Sequence, residues 1–219
     1  MTPDFQNAAI KAYETILKYG IASAPVDPLP ILRQSPGVMV VSFTGMSYCI
    51  GIKRETLLSA IGGQCQDAVT SVRRSGDDLT YIVAYNQRIP YYMLQRAFAR
   101  ELGHIILRHD GSRPEDVRTA EAVCFAMHLL CPRPLIRGIS DTGIPLTVEM
   151  LGTLTGCHGR FLSQMRRTDG VCVPADLNRA VREQFRDYIG KVVEYYALVQ
   201  HEDESTAANI KSYMDGYEE

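Results

Sequence analysis

The chain has 219 residues, of which 46% are hydrophobic and 22% charged, and its formal net charge is -2. This composition is typical of a globular protein, so it excludes the collagen-like and intrinsically disordered classes. No apolar run reaches the roughly 20 residues that a membrane-spanning helix needs. The small net charge gives no global basic field for nucleic acid or acidic membranes. We therefore expect one large domain, or one domain with an appended helical part.

The N-terminus and the cysteines indicate the compartment. The first twenty residues lack the basic and apolar regions of a secretory signal. The six cysteines form no Cys-x-x-Cys pair, so we expect reduced thiols that pack mostly as small apolar side chains. These features predict a cytoplasmic protein without a membrane partner.

Helical and extended patterns alternate in the first ninety residues. Helical spacing over residues 5–19 follows Asp4, a good N-cap, and precedes Gly20, a good helix stop. Short helices are predicted in the proline-rich segment that ends near Gly37 and at residues 55–61. Three segments have strand-like patterns, with a hairpin turn between the last two: 38–43, 68–73 and 79–85.

From residue 90 onward the apolar pattern has the period of a helix. It predicts helices over 91–107 and from Pro114 to Cys131, then shorter ones at 147–154 and 158–165, and a long one from Asp176 to about Val199. Three strands followed only by helices predict an α+β fold with a small antiparallel or mixed three-stranded sheet. We divide the chain into a sheet-containing domain (1–135), a helical subdomain (136–200) and an acidic, loosely held tail (201–219).

The segment with the residues for chemistry lies at 96–109. A zinc-peptidase helix of the HExxH type needs two histidines four residues apart, because one helical turn brings both imidazoles to one metal ion. The glutamate between them takes a proton from metal-bound water. Here the run is Arg100-Glu101-Leu102-Gly103-His104, and a guanidinium cannot ligate zinc. Spacing alone therefore identifies an incomplete motif.

The order of these features resembles that of the ImmA/IrrE family of metallopeptidases over about residues 8–170. Residues 10–38 resemble the family's opening helix and turn, and residues 81–108 its strand, asparagine turn and active-site helix. Residues 121–132 resemble its EA..FA..LLMP segment, and residues 147–167 the small helices that follow. The resemblance implies a zincin-like active-site helix pair. It also implies a cytoplasmic, zinc-dependent endopeptidase that cleaves a repressor-type regulatory protein of a mobile element or stress regulon.

By position, the resemblance makes Glu101 the catalytic base and His104 a zinc ligand. Arg100 stands at the other histidine position, and the third ligand position falls on Thr119. Two of the three expected protein ligands are therefore replaced, which leaves both zinc-bound and zinc-free interpretations open.

A rearranged zinc site is one of these interpretations. Glu121, Cys124 and His128 are spaced i, i+3 and i+7, so they share one face of the second predicted helix, and this face could oppose His104. His104, Glu121 and His128 would then form an open ligand set. The alternative, which we favour, is a structural one in which a buried histidine bonds to a nearby glutamate.

Arg100 is predicted to replace the metal as a cross-link. An ion pair with Glu121 or Glu101 would tie the two helices together without zinc. The competing interpretation leaves Arg100 in solvent. His109, after the active-site helix, is predicted to be a solvated loop residue.

Three functions are compatible with this sequence. The first is a zinc endopeptidase that uses Glu101, His104 and rearranged ligands from residues 119–128. The second is a catalytically inactive relative that binds a regulatory protein in the former substrate cleft. The third is a DNA-binding regulator that uses residues 147–186. This region has the pattern of a helix–turn–helix motif, with the turn at 153–156, followed by an arginine-rich stretch. For this last region we favour a packed helical subdomain with solvated arginines.

Overall fold

The structure, a computed structural model, describes residues 1–60, 67–76, 78–157 and 170–215. Its strands are β1 (Val38–Ser42), β2 (Ala68–Ser75) and β3 (Asp78–Tyr85). Its helices are α1 (Phe5–Lys18), α2 (Pro28–Gln34), α3 (Phe43–Ile50), α4 (Arg54–Ala60), α5 (Tyr91–Ile106), α6 (Glu115–Leu130), α7 (Arg133–Ser140), α8 (Val148–Thr155), α9 (Ala175–Gln184) and α10 (Arg186–Asp215). The predicted α+β class with a small three-stranded sheet is confirmed.

The sheet is mixed, with strand order β1-β3-β2. β1 runs parallel to β3, with Val38 opposite Tyr81, and β2 runs antiparallel to β3, with Ala68 opposite Tyr85. The predicted hairpin accounts for β2 and β3, which are consecutive in the chain. β1 and β2 are the two edges of this sheet, and the edge of β2 forms one wall of the cleft described below.

Helices α1, α5 and α6 form the centre of the core. The fully buried side chains that they contribute include Tyr13, Phe98, Leu102, Phe125 and Leu129. The predicted N-cap of α1 is confirmed, because the carboxylate of Asp4 accepts a hydrogen bond of 2.9 Å from the N–H of Asn7. Local capping and the apolar period were therefore sufficient to locate this helix.

Two elements differ from their predictions. The strand predicted at 38–43 ends at Ser42, whose hydroxyl caps α3 by accepting the N–H of Gly45 at 3.0 Å. The predicted final helix is two helices that join at Phe185, and α10 extends beyond Val199 to Asp215. No glycine or proline interrupts residues 191–215, so nothing local ends the helix there. The helix predicted at 158–165 lies outside the described residues.

Among the described residues, one stretch, Glu115–Ser140, is long and apolar enough to pass for a membrane span. The fold buries 78% of its most apolar window, and Pro132 separates α6 from α7 within it. Such burial is typical of a core helix in a soluble protein.

Gly103 allows α5 and α6 to approach closely. A Cβ added there would lie 3.0 Å from the carbonyl oxygen of Ala122 and 3.1 Å from its Cα, and these backbone atoms cannot move without separating the helices. We expect Gly103→Ala to lower the free energy of unfolding by about 1–3 kcal/mol, despite the better helix propensity of alanine. Urea denaturation measures the change.

The matched control is Gly190→Ala in α10, where nothing lies within 4 Å of the added Cβ. This variant should be more stable than the wild type by about 0.5–1 kcal/mol, because alanine loses less backbone entropy on folding. Equal effects of the two substitutions would contradict the close contact at Gly103.

Candidate functional site

A cleft of about 320 Å³ opens between β2 and the helices α5 and α6. Five of the residues discussed from the sequence line it: Arg100, Glu101, His104, His109 and Thr119. The incomplete motif on α5 and the position predicted for a third ligand therefore share one cavity. Residues 68–70 and Val72 of β2 form the opposite wall.

The edge of β2 presents backbone hydrogen-bonding groups to this cleft. The carbonyl of Asp67 accepts the N–H of Asn86 at 2.8 Å, so Asp67 points toward β3. Because backbone groups alternate in direction along an antiparallel strand, those of Ala68, Thr70 and Val72 point away from β3. The contact between Ala68 and Arg100 described next agrees with this alternation. Such an edge can pair with another extended chain.

Arg100 is paired with Glu101 inside the cleft. Its Nε and Nη2 donate to Oε1 of Glu101 at 2.9 and 2.8 Å, and Nη2 also donates to the carbonyl of Ala68 at 3.0 Å. The Glu101 side chain is only 4% exposed. Its burial raises the pKa of the carboxyl group above the usual value, although Arg100 and Thr70 act in the opposite direction. Arg100 therefore ties α5 to β2 and neutralises the residue that would be the catalytic base.

A hydrogen-bonded chain connects α6 to the cleft. An oxygen of Glu121 lies 2.9 Å from Nε2 of His109, and Nδ1 of His109 lies 2.9 Å from Nδ1 of His104. Arg113 also reaches the Glu121 carboxylate, with distances of 2.7 and 2.8 Å. Arg113 is thus the arginine that bonds to Glu121, whereas Arg100 bonds to Glu101.

The prediction that His109 is solvated was wrong, since the residue is 5% exposed. The loop after α5 turns back over α6 and inserts His109 between His104 and Glu121. Only the tertiary path of this loop brings them together. In the sequence, the only indication of this turn was the pair Asp110-Gly111, which is typical of turns and directly follows His109.

The positions of the protons on Glu121, His109 and His104 follow from the charge states of Glu121 and His104. Although burial favours the neutral acid, the Asp4 N–H, His109 and Arg113 hold the pKa of Glu121 below its usual value. The carboxylate therefore accepts from Nε2–H of His109, so Nδ1 of neutral His109 must accept from Nδ1–H of His104. Burial, with the nearby His109 and Arg100, lowers the pKa of His104 to about 3, which keeps its ring neutral. The remaining lone pair of His104, on Nε2, belongs to a ring that lines the cleft.

The face of α6 that carries Glu121, Cys124 and His128 packs along α1. Oε1 of Glu121 accepts the N–H of Asp4 at 2.8 Å, and Cys124 donates to the carbonyl of Phe5 at 3.5 Å. His128 Nδ1 lies 3.3 Å from the hydroxyl of Tyr13. The three predicted zinc ligands, His104, Glu121 and His128, are therefore not brought together. His128 faces α1, and Glu121 reaches His104 only through His109.

Zinc fits this set of donors poorly. The cleft offers one imidazole nitrogen, from His104, beside the guanidinium of Arg100. The exposed Glu115 also lines it, whereas the carboxylates of Glu101 and Glu121 are held by arginines. Within the described ranges, no group of three or more His, Cys, Asp or Glu side chains has an arrangement suited to a metal ion. Cys131 and Cys157, both buried thiols, lie elsewhere in the core.

His128 should make folding stability depend on pH. Burial lowers the pKa of His128 to about 4, from the 6.5 of an unperturbed histidine side chain. As pH falls below about 6.5, the unfolded chain binds a proton that the folded chain does not. The free energy of unfolding therefore decreases until the pH reaches the pKa of His128 in the folded chain. For a shift of this size, we expect a loss of about 3 kcal/mol. Urea denaturation from neutral to acid pH measures it.

His128→Leu should remove this contribution and flatten the acid side of the stability profile. The hydroxyl of Tyr13 keeps the N–H of Arg133 as a donor at 3.2 Å in this variant. An unchanged difference in stability between wild type and variant across this pH range would show that His128 does not titrate in this way.

The arginine-rich stretch suggested for DNA is only partly described. Helix α8 ends at Thr155, and its C-cap Gly156 has a left-handed φ of 67°, in agreement with the predicted turn. Residues 158–169 lie outside the described residues. Arg182 donates to Asp141 at 2.7 Å, and Arg186 pairs with Glu183. DNA binding stays a prediction.

No protein-family model, curated protein or solved structure matches this chain. The proposed function therefore depends on the cleft and its residues.

Proposed function

We propose that this chain is a cytoplasmic, zincin-like relative of the ImmA/IrrE peptidases that has become a binding module. In this proposal, α5 and α6 are the active-site helix pair. The cleft beside β2 holds an extended segment of a repressor-type regulatory protein without zinc-dependent cleavage.

The pairing of Arg100 with Glu101 carries this proposal. Arg100 replaces a metal ligand by position, occupies the carboxylate that would act as base, and cross-links α5 to β2 through Ala68. The former metal site thereby becomes part of the cleft wall. Of the outward backbone groups of β2, the carbonyl of Ala68 bonds to Arg100 and the N–H of Thr70 bonds to Glu101, whereas those of Val72 remain positioned for pairing with an extended peptide.

Peptide selection tests the proposal directly. A random 12-residue peptide library displayed on phage is selected against the full chain, and the enriched peptides are synthesised for affinity measurements. Thr119 is exposed and lines the cleft, so Thr119→Arg should fill the cleft and weaken binding at least about tenfold, or about 1.4 kcal/mol. Thr153→Arg, at an exposed position on α8, is the matched control and should bind normally. Peptides that bind both variants equally would contradict a cleft-bound ligand.

A zinc endopeptidase is the second candidate, and one observation favours it. The hydrogen-bonded chain from Glu121 leaves Nε2 of His104 without a proton, as a zinc ligand would require. If purified protein retains about one zinc per chain and loses it in His104→Ala, this candidate replaces the first. Peptide cleavage that disappears in Glu101→Gln would support the same conclusion.

A further inference from the structure

A second cavity, of about 380 Å³, lies where the C-terminal ends of α1, α2 and α5 meet β3. It shares no lining residue with the cleft. Its apolar surface comes from Leu79, Ile105, Ile106 and Pro36. The volume lies at the lower end of the range for small-molecule sites, which are mostly apolar with a few convergent polar groups.

Two cations line this cavity, Lys18 and Arg108. Within the part of the chain that the structure describes, neither forms an ion pair with a carboxylate. Lys18 Nζ lies 5.3 Å from the centre of the Tyr19 ring. Two positive side chains that share one cavity without internal partners favour an anionic ligand.

Neither cation is needed to cap the helix ends around the cavity. Loop amides already bond the terminal carbonyls of α1, for example Ile21 N–H to Ile16 at 3.0 Å. At the end of α5, the N–H of His109 donates to the carbonyl of His104 at 2.9 Å. The hydrogen bonds that cap these helix ends are therefore made without either side chain.

Tyr81 provides the second, independent indication of a ligand. The residue is 5% exposed and lines the cavity, and its buried hydroxyl has no hydrogen-bond partner among the described residues. A buried donor without an acceptor is costly, so native proteins rarely leave one unsatisfied. Burial also raises the pKa of Tyr81, so the hydroxyl keeps its proton and can donate it. The hydroxyl has almost no accessible surface, so a ligand acceptor reaches it only when the side chains that cover it move aside.

The backbone of Arg108 points to the same cavity. Arg108 follows the C-cap Leu107 and has a φ of 54°, the left-handed conformation that glycine usually supplies at the end of a helix. Its N–H donates to the carbonyl of Ile105 at 3.0 Å, as this helix ending requires. An arginine here accepts backbone strain that glycine would avoid, so its side chain must offer something else.

We propose that this cavity binds a small amphipathic carboxylate. Lys18 and Arg108 face the carboxylate, the Tyr81 hydroxyl donates to one of its oxygens, and a short hydrocarbon body packs on Ile105 and Ile106. This site is separate from the cleft, so it does not depend on the function proposed there.

Calorimetric titration of the full chain with octanoate tests the proposal. We expect saturable binding to one site with a Kd below about 1 mM. Three control compounds should each bind at least about tenfold more weakly. Octan-1-ol lacks the negative charge, octylammonium carries a positive charge instead, and inorganic phosphate lacks the apolar body.

Two variants locate the site. Lys18→Gln and Arg108→Gly should each weaken octanoate binding at least about tenfold. Glycine suits the φ at position 108, so Arg108→Gly should melt at or above the temperature of the wild type, which separates lost binding from lost folding. Lys11→Gln, two turns earlier on α1 at a partly exposed position, is the matched control and should bind normally.

Tyr81→Phe provides a third measurement. It removes a hydroxyl that has no hydrogen-bond partner among the described residues, so the fold should be retained while octanoate binds less tightly. Absence of saturable binding, equal binding of octan-1-ol, or wild-type affinity in both Lys18→Gln and Arg108→Gly would overturn the proposal.

Discussion

Replacing Arg100 by histidine and Thr119 by glutamate in the same chain should create a zinc site with a Kd below about 1 μM. Both positions line the cleft that contains His104, and Nε2 of His104 already lacks a proton. The two substitutions would therefore add a second imidazole one helical turn away and a carboxylate from α6. Zinc competition against a chromogenic chelator measures the affinity.

The control variants show whether all three ligands act together. Arg100→His alone, Thr119→Glu alone and the double variant with His104→Ala should each bind zinc at least about a hundredfold more weakly. Zinc should raise the melting temperature of the double variant only, because a ligand that binds only the folded state stabilises it. If the double variant binds no more zinc than the wild type, α5 and α6 are not arranged as a zincin-like pair.

Arg100→Ala should lower the free energy of unfolding by about 2–4 kcal/mol at neutral pH. Removing one partner of a buried ion pair leaves the other charge uncompensated, and the estimate is reduced because the Arg100 side chain is 30% exposed. Urea denaturation measures the loss. Arg137→Ala, at an exposed position on α7, is the control and should change stability by less than about 0.5 kcal/mol.

The loss in Arg100→Ala should depend on pH. Burial already raises the folded pKa of Glu101 above its unfolded value, and removal of Arg100 raises it further. A raised carboxyl pKa gives stability that is present below the unfolded pKa and is lost as pH rises through the folded pKa. The variant should therefore approach the wild type below about pH 4 and diverge from it as pH rises.

Adding Glu101→Gln to Arg100→Ala should recover part of the stability and remove this pH dependence, because no carboxylate is then left unpaired. A pH-independent loss in Arg100→Ala would instead indicate that packing of the guanidinium, rather than its charge, stabilises the cleft wall.

The helices and strands with regular patterns were predictable. α5 was predicted at 91–107 and spans Tyr91–Ile106, and the predicted strands at 68–73 and 79–85 correspond to β2 and β3. Periodic apolar residues, N-caps and prolines act over a few neighbouring residues, so the sequence reports them directly. The short helix α3 had no comparable pattern, and its capping residue Ser42 was interpreted as part of a strand.

The sequence predicted several of the residues that line the candidate site, but not which side chains bond to one another. The incomplete motif identified Arg100, Glu101 and His104, the family resemblance pointed to Thr119, and these four positions share one cleft. Which carboxylate pairs with Arg100 depends on side-chain direction rather than spacing. The same limit applies to α6, where the face with Glu121 and His128 packs on α1.

Local patterns in the chain are enough to establish the α+β class, the helix that carries the incomplete motif and the arginine at the first histidine position of that motif. These properties need only the identity and spacing of residues within one element. The burial of His109, the bonds of Arg113 to Glu121 and the cavity shared by Lys18, Tyr81 and Arg108 required the folded chain. Each joins residues from different elements, and the path of the intervening loops, which short-range preferences do not encode, sets their distances.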